Sequence, residues 1–174
     1  MKRLTALGLA LIVAFGLWGC KSWSEKQNEA VCFYYQRIDY SYGEEDSVIA
    51  AETRELSGYR DNLRYLMTLY FHGPQDPGLF SPFPSGISVV DIRTEDDTLV
   101  VSLNSALNQL QDLDLTIACT CLARTCFELA DVQQILIESP PTEDGSFVSI
   151  SISRDQYLLT DSIPSTTSPT QQTD

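Results

Sequence analysis

Two stretches of helical periodicity, each set between short alternating apolar runs, limit what this chain can fold into. Tyr59, Leu63, Leu66, Met67 and Tyr70 recur at helical spacing, with Arg60, Asp61 and Arg64 between them. That is the pattern of an amphipathic helix of about three turns, stopped by Gly73 and Pro74. Leu115, Ala118, Cys119, Leu122, Cys126 and Leu129 make a second helical stripe that ends near Ala130. Each helix has one apolar face to bury, and the runs around it read as strands.

Ala30 to Ile38 alternates, with Val31, Phe33 and Tyr35 on one side and Cys32 and Tyr34 on the other, as a strand of β-forming residues does. Gly43-Glu44-Glu45-Asp46 reads as a turn after which Ser47 to Glu55 returns antiparallel, although Val48 to Arg54 is also compatible with a helix. Ile87 to Arg93 and Thr98 to Leu103 flank the polar turn Thr94-Glu95-Asp96-Asp97, and Leu99, Val101 and Leu103 face one way. Val132 to Glu138 and Phe147 to Ser153 flank a second polar turn, with Val148, Ile150 and Ile152 inside and serines outside. Between the first helix and the first of these hairpins, Pro74, Pro77, Pro82 and Pro84 make Pro74 to Gly86 a loop. The expectation is an α+β domain, two helices packed on one face of a mainly antiparallel sheet in the order ββαββαββ. It occupies residues 30–161. Residues 162–174, nearly all Ser, Thr, Pro, Gln and acid, cannot bury enough apolar surface to order themselves.

The first twenty-nine residues belong to something else. Lys2 and Arg3 precede an apolar run from Leu4 to Leu17, and Gly19 precedes Cys20, the order of a bacterial lipoprotein signal peptide. Residues 1–19 would be removed, Cys20 would carry the lipid, and residues 20–29 would form a spacer. The run is shorter than the about 20 residues that cross a bilayer, and Lys21 follows at once, so a cleaved signal is favoured over an uncleaved anchor helix. The expected location is the cell membrane, lipid-anchored on the extracytoplasmic face.

A net charge of −13 becomes more negative when Lys2 and Arg3 are removed. Nucleic acid is thereby excluded as a partner, because phosphate binding needs a basic footprint. Four cysteines remain after Cys20. On a helix Cys119, Cys121 and Cys126 cannot pair among themselves: only Cys119 and Cys126 share a face, and two turns of rise, about 10 Å, exceed disulfide reach. A bridge is open only from Cys32 to one of the three, and buried free thiols are the better reading. The same geometry defeats a zinc site.

No catalytic constellation emerges. His72, the single histidine, lies at a helix C-terminus, where its ring can cap free carbonyls. Glu44-Glu45 and Asp96-Asp97 sit in turns where solvated charge is the expected filling. Neither turn has calcium-loop spacing, and no glycine loop followed by lysine cradles a phosphate. No enzyme activity, metal or cofactor is expected.

From Leu63 to Glu138 the ordered pattern resembles the GerMN domain of bacterial spore-germination and sporulation proteins. A helix runs into Leu69-Tyr70-Phe71-His72-Gly73-Pro74, where that family has a helix ending in Gly-Pro. A proline loop reaches Phe83-Pro84-Ser85-Gly86-Ile87, similar to its Pro-x-Gly before a strand. Leu99-Val100-Val101-Ser102-Leu103-Asn104-Ser105 looks like its strand ending in Asp-Leu-Ser, with Ser102 in place of the acid, and Cys121-Leu122, Phe127 and Val132 to Ile137 resemble its closing helix and strand. Ser139-Pro140 replaces the glycine common after that strand. The resemblance implies a lipoprotein or membrane-anchored ectodomain that binds or assembles at the envelope in sporulation- or germination-linked processes. A cell-wall ligand carrier or wall-modifying enzyme is the alternative.

The residues singled out as a binding surface are His72, Gly73, Pro74, Phe80, Phe83, Pro84 and Gly86, because aromatics displayed on a proline loop lose little entropy on binding. The expected partners are the membrane, through Cys20, and an envelope protein or a second copy of the chain.

Overall fold

The first alternating run does form a strand. In the computed structural model, which describes residues 30–39, 48–56, 58–143 and 145–155, Ala30–Arg37 is β1 and Ile49–Glu55 is β2. They pair antiparallel from Ala30↔Glu55 to Gln36↔Ile49, which settles the strand-or-helix question for Val48 to Arg54. The period of two sends Val31, Phe33 and Tyr35 inward, and all three are buried. The signal-like run 1–19, Cys20, the spacer, the turn at 43–46 and the tail at 162–174 lie outside the described residues.

Helix α1 covers Leu63–Phe71 and buries Leu66, Met67 and Tyr70. Asn62 starts it, its side-chain oxygen accepting from Tyr65 N–H at 3.1 Å, an N-cap that satisfies one of the free amides of the first turn. Tyr59, expected in this helix, precedes the cap.

The loop that follows is not strandless. Leu79–Phe80 forms a short β3 on β1, paired Arg37↔Leu79 and Gln36↔Phe80. Next come β4 (Val89–Glu95) and β5 (Thr98–Leu103), joined through Asp96 and Asp97. Asp96 takes φ 51°, a left-handed value that aspartate tolerates in tight turns. A 3₁₀ turn at Ser105–Gln109 leads into α2 (Asp112–Leu129), and β6 (Gln134–Glu138) and β7 (Ser149–Ser153) close the chain.

The α+β class holds, and the sheet arrangement differs from the expected one. Among the described residues the strands divide into two sheets, β2-β1-β3 and β4-β5-β6-β7, and the element order gains β3. Within the larger sheet β5 and β6 run parallel, from Thr98↔Gln134 to Ser102↔Glu138. A parallel pair needs a long crossover, and α2 is that crossover.

This arrangement explains α2. Its predicted stripe is buried or half-buried, yet Ile117, Cys121, Ala123, Thr125 and Phe127 are buried too, leaving Thr116, Thr120, Arg124 and Glu128 as a narrow outer row at helical repeat. The helix packs against β1 of the small sheet and reaches β6 and β7 of the large one, so it needs apolar residues on more than one side. Along β1 it also covers an open edge. Tyr34 N–H donates to Thr125 Oγ1 at 2.9 Å, and Tyr34 C=O accepts from the Tyr70 hydroxyl at 3.0 Å. Side chains thus supply the partners that a neighbouring strand would otherwise give. At the C-terminal end of α2, Arg154 donates to the carbonyls of Phe127, Ala130 and Val132.

The four cysteines of the described residues are free. Burial pushes the thiols of Cys119, Cys121 and Cys126 up to about 12, so they are neither ionised nor reachable at neutral pH. Cys32 is half-exposed, with its sulfur 3.5 Å from Thr53 Oγ1. In a Cys20→Ser background, a water-soluble thiol reagent under native conditions should modify Cys32 and spare the other three. Equal labelling by mass spectrometry would contradict the packing of α2.

Candidate functional site

The candidate surface begins where α1 ends. Gly73 takes φ 93° and its N–H donates to Tyr70 O at 3.0 Å, half of the double hydrogen bond that commonly closes a helix. Pro74, the next residue, has no N–H to make the other half. Side chains take over: the His72 ring, through Nδ1, donates to Thr68 O at 2.6 Å, and Arg54 Nη2 donates to Gly73 O at 2.8 Å. The His72 ring is therefore a cap, as its position in the sequence implied. No atom lies within 4 Å of where a Cβ on Gly73 would stand, so Gly73→Ala should cost only the left-handed strain, about 1–2 kcal/mol. Chemical denaturation would measure it, and a neutral result would show that the turn relaxes.

Beneath the loop lies a charge pair that the sequence reading missed. Glu52 and Arg54 are two apart on β2 and therefore on one face, the face turned toward the aromatic core. Their side chains are only 9% and 8% exposed and are ion-paired through Arg54 Nε. The guanidinium lies 4.9 Å from the Phe33 ring centroid and donates to the Tyr35 hydroxyl at 3.3 Å. The Tyr35 hydroxyl in turn donates to Tyr70 O at 2.9 Å. The second carboxylate oxygen of Glu52 accepts from the backbone N–H groups of Gln75 and Asp76, both at 2.7 Å. Arg54 thus fixes the end of α1 and Glu52 fixes the first residues of the loop. The signal was present in Ile49–Glu55, where two opposite charges occupy the positions paired with Phe33 and Val31.

Further on, Asp76 Oδ1 accepts from Gly78 N–H at 2.8 Å, and Gly78 O accepts from Ile38 N–H at 3.0 Å. Gly86, at φ 82°, presents its carbonyl to Asn104 Nδ2 at 2.8 Å. The loop is tied at each bend.

The seven predicted residues do not make one patch. His72 and Gly86 are exposed, Gly73, Pro74 and Pro84 are half-buried, and Phe80 is 39% exposed. Phe83 is a correction: it is 8% exposed and belongs to the core. Its ring meets Phe71 and Tyr70 edge-on at centroid distances of 5.1 and 6.1 Å, because short β3 turns the following residues back under α1. A proline loop displays its aromatics only where the chain runs outward, which the sequence does not reveal. What the structure does bring together is Phe80 with Ile38, 52% exposed. The β1–β3 register places them as diagonal neighbours on one sheet face. An open cleft of about 350 Å³ at this end of β1 is lined by residues that include Arg37, Asp39, Ala50, Asp76 and Leu79, and neither Phe80 nor Ile38 lines it.

On the outer face of the large sheet, Ser102 Oγ donates to Glu138 at 2.6 Å, and Arg93 reaches Ser102, Glu95 and Glu138. The Ser102 hydroxyl, with Arg93 behind it, holds the Glu138 carboxyl below the ordinary carboxylate value. Position 102, where the resemblance has an acid, thus carries a hydroxyl that donates to a carboxylate on the neighbouring strand.

A family model described as Germane, sporulation and spore germination, matches residues 33–139, the span from β1 to the end of β6. No curated protein matches the chain. Among solved structures, the tandem GerMN domains of the sporulation protein GerM from Bacillus subtilis share 15% identity at a TM-score of 0.50, over 69% of this chain and 44% of that one. This chain therefore spans less than half of that tandem chain, and the likeness is one of fold. The first GerMN domain of the same protein gives 16% identity and a TM-score of 0.47, over 72% of this chain and 98% of that one. A candidate lipoprotein from Clostridium perfringens gives 15% and 0.46, over 73% and 88%.

Proposed function

This chain belongs to the Germane family, and from that premise we propose that it is a lipid-anchored, extracytoplasmic module of the bacterial cell envelope that serves sporulation or germination by binding a partner, without catalysis. Its working surface is the apolar corner formed by Ile38 and Phe80. One observation carries this reading. The corner sits at the end of β1 opposite Ala30, where the chain from Cys20 enters, and eight residues of strand separate the two by about 26 Å. A tether at one end and a braced apolar corner at the other suit a domain that presents a surface away from the membrane. The groups that chemistry would recruit are committed to structure: His72 caps α1, and the buried thiols are un-ionised.

The test is a photoreactive residue at Phe80 in the full-length protein in cells, with adducts identified by mass spectrometry. A protein adduct that disappears with Ile38→Ala supports the reading and names the partner, a second copy included. Labelling of glycan or small molecules alone would move it to a wall-ligand carrier or wall-modifying enzyme. Anchoring is tested separately, since Cys20→Ala should abolish the lipid mass and release the protein from membranes.

A further inference from the structure

The Ala30 end of the domain has a chemistry of its own. Arg60 Nη1 donates to Ala30 O at 3.1 Å, so the turn before α1 is fastened to the point where the tether enters. Beside it Tyr59 and Tyr65 are 48% and 37% exposed, with ring centroids 4.6 Å apart. Arg64 keeps a side chain 56% exposed, its Nη2 3.5 Å from Asp91. Two arginines here stand among Glu55, Asp61 and Asp91. The opposite end carries Asp39 and Asp76 with Arg37.

Distance restricts the occupant. Fully extended, the chain from Cys20 to Ala30 reaches at most about 35 Å, and it carries Lys21, Trp23 and Lys26. Tyrosine and tryptophan rings settle at the headgroup level because one end is apolar and the other wet, and arginine and lysine are drawn to anionic lipid. We infer that the corner formed by Tyr59, Arg60, Arg64 and Tyr65 rests on the headgroup layer of the anchoring bilayer, orienting Phe80 outward. This rests on the lipid anchor proposed at Cys20.

The experiment uses full-length protein in vesicles of phosphatidylethanolamine and phosphatidylglycerol that contain a headgroup-nitroxide lipid. Fluorescent acridonylalanine is placed at Tyr65 or at Phe80, and the lipid mass on Cys20 is read from the same samples. Quenching should be severalfold stronger at Tyr65 than at Phe80, and Arg60→Glu with Arg64→Glu should reduce it. Equal quenching at both positions of lipidated protein overturns the orientation and leaves the anchor standing. Absence of lipid on Cys20 removes the anchor, and the inference falls with it. A Tyr65 probe that lipid nitroxide does not quench, but that is shielded from aqueous iodide in cells, would mean that a protein covers this end, which also overturns the inference.

Discussion

Replacing Arg54 with methionine is expected to lower the unfolding free energy of the domain by about 3–5 kcal/mol, the usual cost of removing one partner from a buried ion pair. The reason is specific to this position. The Glu52 carboxylate would remain 9% exposed with no cation beside it, and Gly73 O and the Tyr35 hydroxyl would each lose a donor. Replacing both charges, Glu52→Leu with Arg54→Met, removes the stranded carboxylate but leaves the amides of Gln75 and Asp76 without their acceptor. The double variant should therefore cost less than the two single losses added together, the difference being the coupling between the pair. Urea unfolding of the four proteins gives that cycle, and hydrogen exchange at Gln75 and Asp76 should rise wherever Glu52 is changed. Additive losses would show that each charge acts alone, and a single-variant cost below about 1 kcal/mol, the level of an exposed pair, would show that water reaches the site.

The second large effect is an alkaline limit on stability. Burial holds the thiols of Cys119, Cys121 and Cys126 protonated up to about 12, against an ordinary value of 9.0. In the unfolded chain they ionise near the ordinary value, so above it the unfolded state binds fewer protons than the folded one. Stability is then complete below about pH 9 and declines above it, by about 1.4 kcal/mol per pH unit for each thiol and about 4 for the three together. Tyr35 and Tyr70 reinforce the trend, because burial raises their phenols as well. A domain of ordinary stability, about 5–15 kcal/mol, should unfold before its buried thiols would ionise in place. Urea midpoints taken between about pH 7 and about pH 10.5 measure the slope. Cys119→Ala, Cys121→Ala and Cys126→Ala together should flatten it while lowering stability at neutral pH, and a wild-type profile flat across that range would refute the account.

Some of this could be read from residue order. The alternation of Val31, Phe33 and Tyr35, the stop at Gly73-Pro74, the hairpin around Asp96-Asp97 and the serine-isoleucine alternation of Ser149–Ser153 are local signals. Each reappears in the structure within a few residues of its expected place. His72 as a cap was legible for the same reason, since a helix terminus advertises its unsatisfied carbonyls. The family pattern was legible too, because it is an ordered series of such signals. Three things were not. The burial of Phe83 depends on where β3 turns the chain. Its two residues pair with Gln36 and Arg37, more than forty positions earlier. The role of Glu52 and Arg54 depends on which face of β2 meets the core, and an alternating strand has two. The division into two sheets depends on α2 lying against both, which its predicted stripe did not reveal.

The sequence by itself determined the class of fold, the sites where elements begin and end, and the family, because propensity, capping and turn chemistry act over a few neighbouring residues. Only the tertiary structure decided which aromatic is displayed and which is buried, and why two charges sit beneath the loop. Those outcomes are set by contacts between segments far apart in the chain, where burial is shared and no single segment contains the information.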